Sequence, residues 1–310
     1  MRLGRLALAA MVVWCAGAEA QQLDFGRISR SGDEHLSYRW RDHDRREHTT
    51  AFTLTKQVIK EAETSFLEFS LDAMWRYLEL DLRDEVEKFG NGAKINFRRT
   101  IEGLSWTISA RDDKQSEVLA KRLTARLEKA QKAYLAQHLR QRVDERRIMV
   151  DFAAATQALQ PAMRAVTRAL GDTPQVANND RARVGLALAF FQEIPYAILE
   201  DKKRRGGDFL SAPALLAQNR GDCDSKAVAL AAVLRTYAPS RKLAMVTMPG
   251  HAILAVDLAA QPGEWTIRTP GRQYVALEAA GPAMAPIGLV GAQTAKYLGE
   301  GREIEIWPLN

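Results

Sequence analysis

Cysteine is scarce in this chain, with two among 310 residues, Cys15 and Cys223. So few exclude a disulfide-stapled scaffold and a four-cysteine zinc site. Long apolar runs are equally scarce. After an eleven-residue run from Leu6 to Ala16, no stretch reaches the 18 consecutive apolar residues that mark a membrane-spanning helix. Nor is there a strong excess of one charge: Lys plus Arg exceed Asp plus Glu by 44 to 38, a net +6 with a pI near 9.3. A mild, scattered excess suits anionic surroundings but does not mark a nucleic-acid binder, and no nucleic-acid partner is expected. What remains is globular stock, 46% hydrophobic and 26% charged, in a length that suits two ordinary domains or one core with a large appendage.

The first twenty residues read as a targeting segment. Arg2 and Arg5 form a positive start, the eleven apolar residues follow, and Ala18 and Ala20 supply small residues at the positions a signal peptidase reads. Trp14 argues against a lipoprotein role for Cys15. Cleavage after Ala20 would leave 290 residues with 42 basic and 37 acidic side chains and one thiol. The expectation is a periplasmic or secreted protein without a transmembrane anchor.

An α+β fold is expected. Residues 21–34 are polar and punctuated by Gly26 and Gly32, and read as a weakly tethered lead. Leu36–Trp40 and Thr49–Leu54 read as short strands. His35, His43 and His48 lie among Asp and Arg without the i,i+4 spacing of a helical metal site, so they read as solvated loop histidines, and no metal or other cofactor is expected. Ser70 caps a helix running to Phe89, with Leu71, Met74, Trp75, Leu78, Leu82 and Val86 on one side. Lys94–Thr100 and Leu104–Ala110 alternate around Glu102-Gly103 as a hairpin. These elements make an N-terminal α+β region, 21–111. A long amphipathic helical connector, 112–171, follows, with Arg140, Arg142, Arg146 and Arg147 on its wet face.

Asp172–Asp180 reads as the domain boundary. Beyond it, within 181–310, come helices at Arg181–Phe191, Pro213–Gln218 and Asp224–Tyr237, with a basic, glycine-closed loop at Asp201–Gly207. Strands at Leu243–Met248, His251–Leu258, Trp265–Arg268 and Tyr274–Leu277 then form an antiparallel meander, in which Trp265 and Tyr274 pack the sheet.

Cys223 follows Gly221-Asp222 and opens a helix, where the positive dipole end favours a thiolate over a thiol. On position alone it is equally a nucleophile or a small core hydrophobe. His251, at the start of a strand after Pro249-Gly250, adds a matched acid–base partner for a thiol. Glu278 ends the following long strand, 27 residues after His251, much as His251 follows Cys223 by 28. Adjacent strands would put its carboxylate beside the imidazole. Asp257 is a rival, though roughly 20 Å along the strand that begins at His251. Asp222 or Asp224 reads as the helix N-cap, with Lys226 offsetting their charge.

Four blocks in this order resemble the transglutaminase-like superfamily of papain-type cysteine enzymes, in particular its bacterial exported branch. They are Phe191-Gln192-Glu193-Ile194-Pro195-Tyr196, Gly221-Asp222-Cys223-Asp224-Ser225-Lys226, Pro249-Gly250-His251-Ala252 and Tyr274-Val275-Ala276-Leu277-Glu278, trailed by Pro286-Ile287-Gly288. The resemblance covers about 181–290 and implies a papain/transglutaminase-like core. It implies Cys223 as nucleophile, His251 as general base and acid, and Glu278, where many relatives carry Asp, as the orienting carboxylate. It also implies Gln192 as an oxyanion donor; the plainer reading of Gln192 is a helix-end residue satisfying a loop. The expected activity is thiol-dependent acyl transfer on a protein or peptide of the cell envelope, most simply peptide or amide hydrolysis. The alternatives are an amine-accepting transglutaminase and a non-catalytic scaffold module docking an envelope partner through the N-terminal region.

Overall fold

A computed structural model describes residues 22–67, 69–100, 103–144, 147–171, 179–199, 209–281 and 284–309. The expected signal segment with Cys15, Glu102 of the hairpin turn, Arg146, most of the 172–180 boundary and the Asp201–Gly207 loop lie outside the described residues. The described residues form a mixed α+β fold.

Strands β1 (Asp24–Arg30), β2 (Asp33–Arg41) and β3 (Glu47–Thr55) make an antiparallel sheet in that order. Strict alternation on β2 and β3 turns Leu36, Tyr38, Trp40, Phe52 and Leu54 inward and leaves the intervening residues in water. The polar lead is therefore a strand, held by its ladder to β2 and by Glu34, which accepts from Arg27 at 2.9 Å and from Ser29. Ser31 and Gly32 turn the chain with φ of 50° and 92°, the left-handed geometry that a two-residue hairpin turn demands. The solvated reading of the histidines holds for His35, exposed beside Thr53. His48 is instead buried on β3, stacked on Trp40 and bonded to Asp42 at 2.8 Å.

Helix α1 (Lys56–Leu67) leads to α2 (Leu71–Phe89), which Ser70 caps by accepting from the Ala73 N–H. Strands β4 (Lys94–Thr100) and β5 (Gly103–Ser109) pair as a hairpin, and α3 (Asp113–Gln137), capped by Asp112, packs back on α2. Met74, Leu78, Leu82 and Val86 of α2 meet Leu119, Leu123, Ala130 and Tyr134 of α3, with Ile95 of the hairpin beside them.

The expected continuous helix through 140–147 does not form. Leu139, at φ 51°, reverses the chain, and β6 (Arg140–Arg142) pairs with β7 (Ile148–Val150). Arg140 lies buried with its guanidinium 5.1 Å from the Phe69 ring centre, and Asp144 accepts from the Arg147 N–H, a turn contact. Cation–π attraction and turn chemistry overrule the basic-face pattern.

Then come α4 (Phe152–Gly171), α5 (Asp180–Glu193), α6 (Ala212–Gln218) and α7 (Cys223–Tyr237). Strands β8 (Leu243–Met248), β9 (His251–Val256), β10 (Thr266–Thr269) and β11 (Arg272–Leu277) follow, closed by α8 (Ala292–Glu300) and β12 (Glu305–Pro308); they are antiparallel as expected, but β9 pairs with β11 rather than with β10, so they do not form a sequential meander. The sheet order is β10-β11-β9-β8-β12, all antiparallel. Leu243, Met245, Leu254 and Val256 face α7; Ala244, Val246, Ile253 and Ala255 face the other way, with Tyr274, Trp265 and the Tyr297 side of α8.

One apolar core joins Tyr38 and Trp40 of the first sheet, Leu159 and Val166 of α4, α5, α7 and the α7 side of the second sheet. Tyr38 also donates to the Leu216 carbonyl at 2.6 Å. The boundary expected at 172–180 therefore does not separate two cores.

Candidate active site

Cys223, His251 and Glu278 meet where the start of α7, the start of β9 and the end of β11 converge. Cys223 is the first residue of α7 and is partly buried. Asp222 is the N-cap: its side chain accepts from the Ser225 N–H at 3.2 Å, and Asp224 accepts from the same group at 2.8 Å. Both carboxyls are thus turned toward the helix end. Burial pushes the Asp222 carboxyl up from the ordinary range, which lessens the negative charge beside the thiol.

His251 enters from the Pro249-Gly250 turn. Its Nε2 donates to Glu278 Oε1 at 2.7 Å, and the Cys223 side chain lies near enough to the same ring to raise its pKa. The β9–β11 register explains the meeting. Leu277 pairs with Leu254, so the next residue, Glu278, comes abreast of Ile253, two positions from His251 on the same face. Glu278 is buried and its Oε2 accepts from Thr294 of α8 at 2.7 Å. Burial opposes a charge on His251, but its bonds to Cys223 and Glu278, with the negative charge on both, outweigh that and raise its pKa to about 10. The rival Asp257 sits beyond the far end of β9, held by Arg272 at 2.7 Å and by the Lys242 N–H at 2.6 Å.

Gln192 does not serve as the expected oxyanion donor. It is fully buried, and its amide donates to the carbonyls of Glu278 at 2.7 Å and Ala285 at 2.8 Å. Both amide hydrogens are spent, so the plainer reading, a residue that satisfies a loop, is the one the geometry supports.

Two neighbours carry roles that spacing did not reveal. Tyr196 pairs with Gly221 in an isolated parallel bridge, fastened by Ala197 N–H to Gly221 O at 3.0 Å and Gly221 N–H to Pro195 O at 3.2 Å. That bridge brings the half-exposed Tyr196 into the neighbourhood of Cys223. Burial, then the negative charge of Cys223, Asp222 and Asp224, pushes the phenol up and keeps it a donor. Gly221 allows the approach because a Cβ there would lie 2.5 Å from Leu215 Cδ1.

Lys226, one turn into α7, is fully buried rather than a surface offset to the aspartates. Its ammonium donates to the Ile194 carbonyl at 2.7 Å and the Ala280 carbonyl at 2.6 Å. Burial lowers its pKa to about 7 against the opposing pull of Glu193, Asp222 and Glu278. Gly281, at φ +63°, completes this junction: a Cβ there would stand 2.7 Å from the Gln192 carbonyl.

Among the described residues, no three His, Cys, Asp or Glu side chains cluster as a metal site requires, and no helix is long and apolar enough to cross a membrane. Comparison with protein-family models, curated proteins and solved structures finds no match for this chain.

Proposed function

We propose that this protein is an exported, cysteine-dependent acyl-transfer enzyme with a papain/transglutaminase-like core, cleaving a peptide or amide bond. One observation carries the reading: the buried Glu278 carboxylate holds the His251 ring at 2.7 Å, and Cys223, at the start of its helix, neighbours that ring.

The sequence of steps follows from these contacts. The Cys223 sulfur, its proton on His251, attacks the amide carbon, and the carbonyl oxygen takes up negative charge. The Cys223 backbone N–H at the helix start and the Tyr196 hydroxyl are the donors placed to receive that oxyanion. His251 gives its proton to the leaving amine, the C–N bond breaks, and a thioester remains. The neutral imidazole then takes a proton from water, hydroxide adds to the thioester, and the acid departs as the sulfur leaves. Glu278 keeps its bond to Nε2 throughout and stabilises each imidazolium. An amine in place of water would complete a transamidation by the same steps.

The substrate class we assign is polypeptide. A cleft of about 880 Å³ is lined by Leu71, Met149, Ile304, Met248 and Pro249, the last two leading into His251; Cys223, His251 and Glu278 do not line it. Its mostly apolar lining suits an extended chain with apolar side chains.

Iodoacetamide labelling of the folded protein tests the reading. Cys223 should label at pH 6 far faster than an ordinary thiol, and His251→Ala should abolish that advantage. A thiol that is inert, or indifferent to His251, sinks the enzyme and leaves a binding module. Cys223→Ala should abolish peptide cleavage with unchanged folded yield.

A further inference from the structure

His43, in the turn between β2 and β3, lies 149 residues from Gln192 in sequence, yet its Nε2 sits 2.8 Å from Gln192 Oε1. The direction of that bond is fixed by its surroundings. Gln192 Nε2 lies between two carbonyl oxygens, which only an N–H₂ group can satisfy, so the atom facing His43 is the amide oxygen. His43 must therefore carry its hydrogen on Nε2 and donate. Burial, which leads the influences on this ring, lowers its pKa and keeps it neutral; the bond to Gln192 and the nearby Asp42 and Asp44 oppose that shift.

From Gln192 the contacts continue to the catalytic group. Its amide holds the backbone carbonyl of Glu278 itself, and of Ala285 on the segment that returns beneath the site. Glu278 then holds His251, and Cys223 neighbours that ring. Gln192 is fully buried, so losing the His43 donor would leave a buried amide oxygen without that bond.

We infer that His43 is a positioning residue for catalysis: it locks the Gln192 amide, and through it the backbone of Glu278, so the N-terminal sheet is part of the catalytic apparatus. This rests on the proposed Cys223–His251–Glu278 enzyme. It assigns to the β1–β3 sheet a purpose besides docking, namely to fix the carboxylate that sustains the His251 imidazolium.

The experiment compares iodoacetamide labelling of Cys223 from pH 5 to 10 in the full chain, as wild type, His251→Ala, Glu278→Gln, His43→Phe and His43→Gln. Phenylalanine keeps the ring's volume without its donor; glutamine restores an N–H able to reach Gln192. His43→Phe should move the limb of the labelling profile that reports His251 about one pH unit toward neutral, a tenfold change in the imidazolium-to-imidazole ratio at a fixed pH. Its pH profile should move toward that of Glu278→Gln, while far-UV circular dichroism stays that of the wild type. His43→Gln should return that limb most of the way to its wild-type position. A wild-type profile in His43→Phe, or no recovery in a folded His43→Gln, overturns the inference. Should His43→Phe fail to fold, the profile of His43→Gln decides alone: one like Glu278→Gln overturns it and one like the wild type supports it. If His251→Ala labels like the wild type, the enzyme reading itself has failed, a result distinguishable from failure of His43 alone.

Discussion

The ammonium of Lys226 fastens the segments that lead into Tyr196 and out of Glu278 to the helix that bears Cys223. Lys226→Met would keep the stem's packing and strand two buried carbonyls, at about 1–3 kcal/mol each. We expect a lower urea midpoint and a thiol that labels more slowly, because both flanking segments lose their anchor. Tyr196→Phe removes one hydroxyl and no packing. It should lower kcat by roughly 10- to 100-fold with KM little changed, a smaller loss than a buried oxyanion donor gives, since Tyr196 is 43% exposed. Steady-state kinetics on a cleavable peptide separate the two parameters. Cys223, His251 and Glu278 were legible in the sequence because each is a chemistry-bearing type set beside a turn or helix start at nearly equal spacing. Lys226, Tyr196 and the true role of Gln192 were not. Their partners are backbone carbonyls and a backbone bridge supplied by distant segments, and such contacts leave no periodic or compositional trace.

At the scale of elements, legibility followed the source of each element's stability. Helix α2, capped by Ser70 with its buried stripe, and the β4–β5 hairpin carry their pattern locally, and both stand where the pattern put them. Strand β1 was read as a loose lead because its order comes from a neighbour's ladder and from the Arg27–Glu34–Ser29 cluster. That cluster also ties the sheet to α6, since Arg27 donates to the Ala217 carbonyl at 3.0 Å. Hydrogen bonds from Arg27 and Ser29 hold the Glu34 carboxyl down to about 2. Its contribution to stability is therefore full above about pH 4.5 and is lost as pH falls through 2. Arg27→Met should cost about 1 kcal/mol at neutral pH, discounted for an arginine side chain 42% exposed. It should also flatten the acid limb of the melting temperature against pH, measured between pH 5 and 2.

For the whole molecule, the two most strongly shifted basic groups oppose each other. His251, raised to about 10, contributes stability that is complete below pH 6.5 and lost as pH climbs toward 10. Lys226 is lowered to about 7, so from there to 10.5 the unfolded chain binds the extra proton and stability grows with pH. The wild type should show little net slope between pH 7 and 10 from this pair. His251→Ala should grow more stable across that range and Lys226→Met less, as read from urea midpoints. The misplaced boundary at 172–180 has the same whole-molecule origin: composition changes there, but the core does not. Deleting residues 22–55 removes Leu36, Tyr38, Trp40, Phe52 and Leu54 from that core. At about 1.5–3 kcal/mol per buried side chain, the loss approaches or exceeds the ~5–15 kcal/mol that holds an ordinary protein together. The truncated chain should be unfolded by circular dichroism.

That shared core also sets an order of events in time. The inward faces of β2 and β3 precede their partners in the chain: they pack on Phe190 and Leu216, and Leu309, just after β12, belongs to the same core. Closure of that core must wait for α5, α6 and the residue that follows β12. Until then Trp40 and Tyr38 have no shelter of their own, and so high a sequence separation between partners makes for slow folding. Until those contacts form, the apolar faces of β2 and β3 are surfaces on which chains of this protein would aggregate.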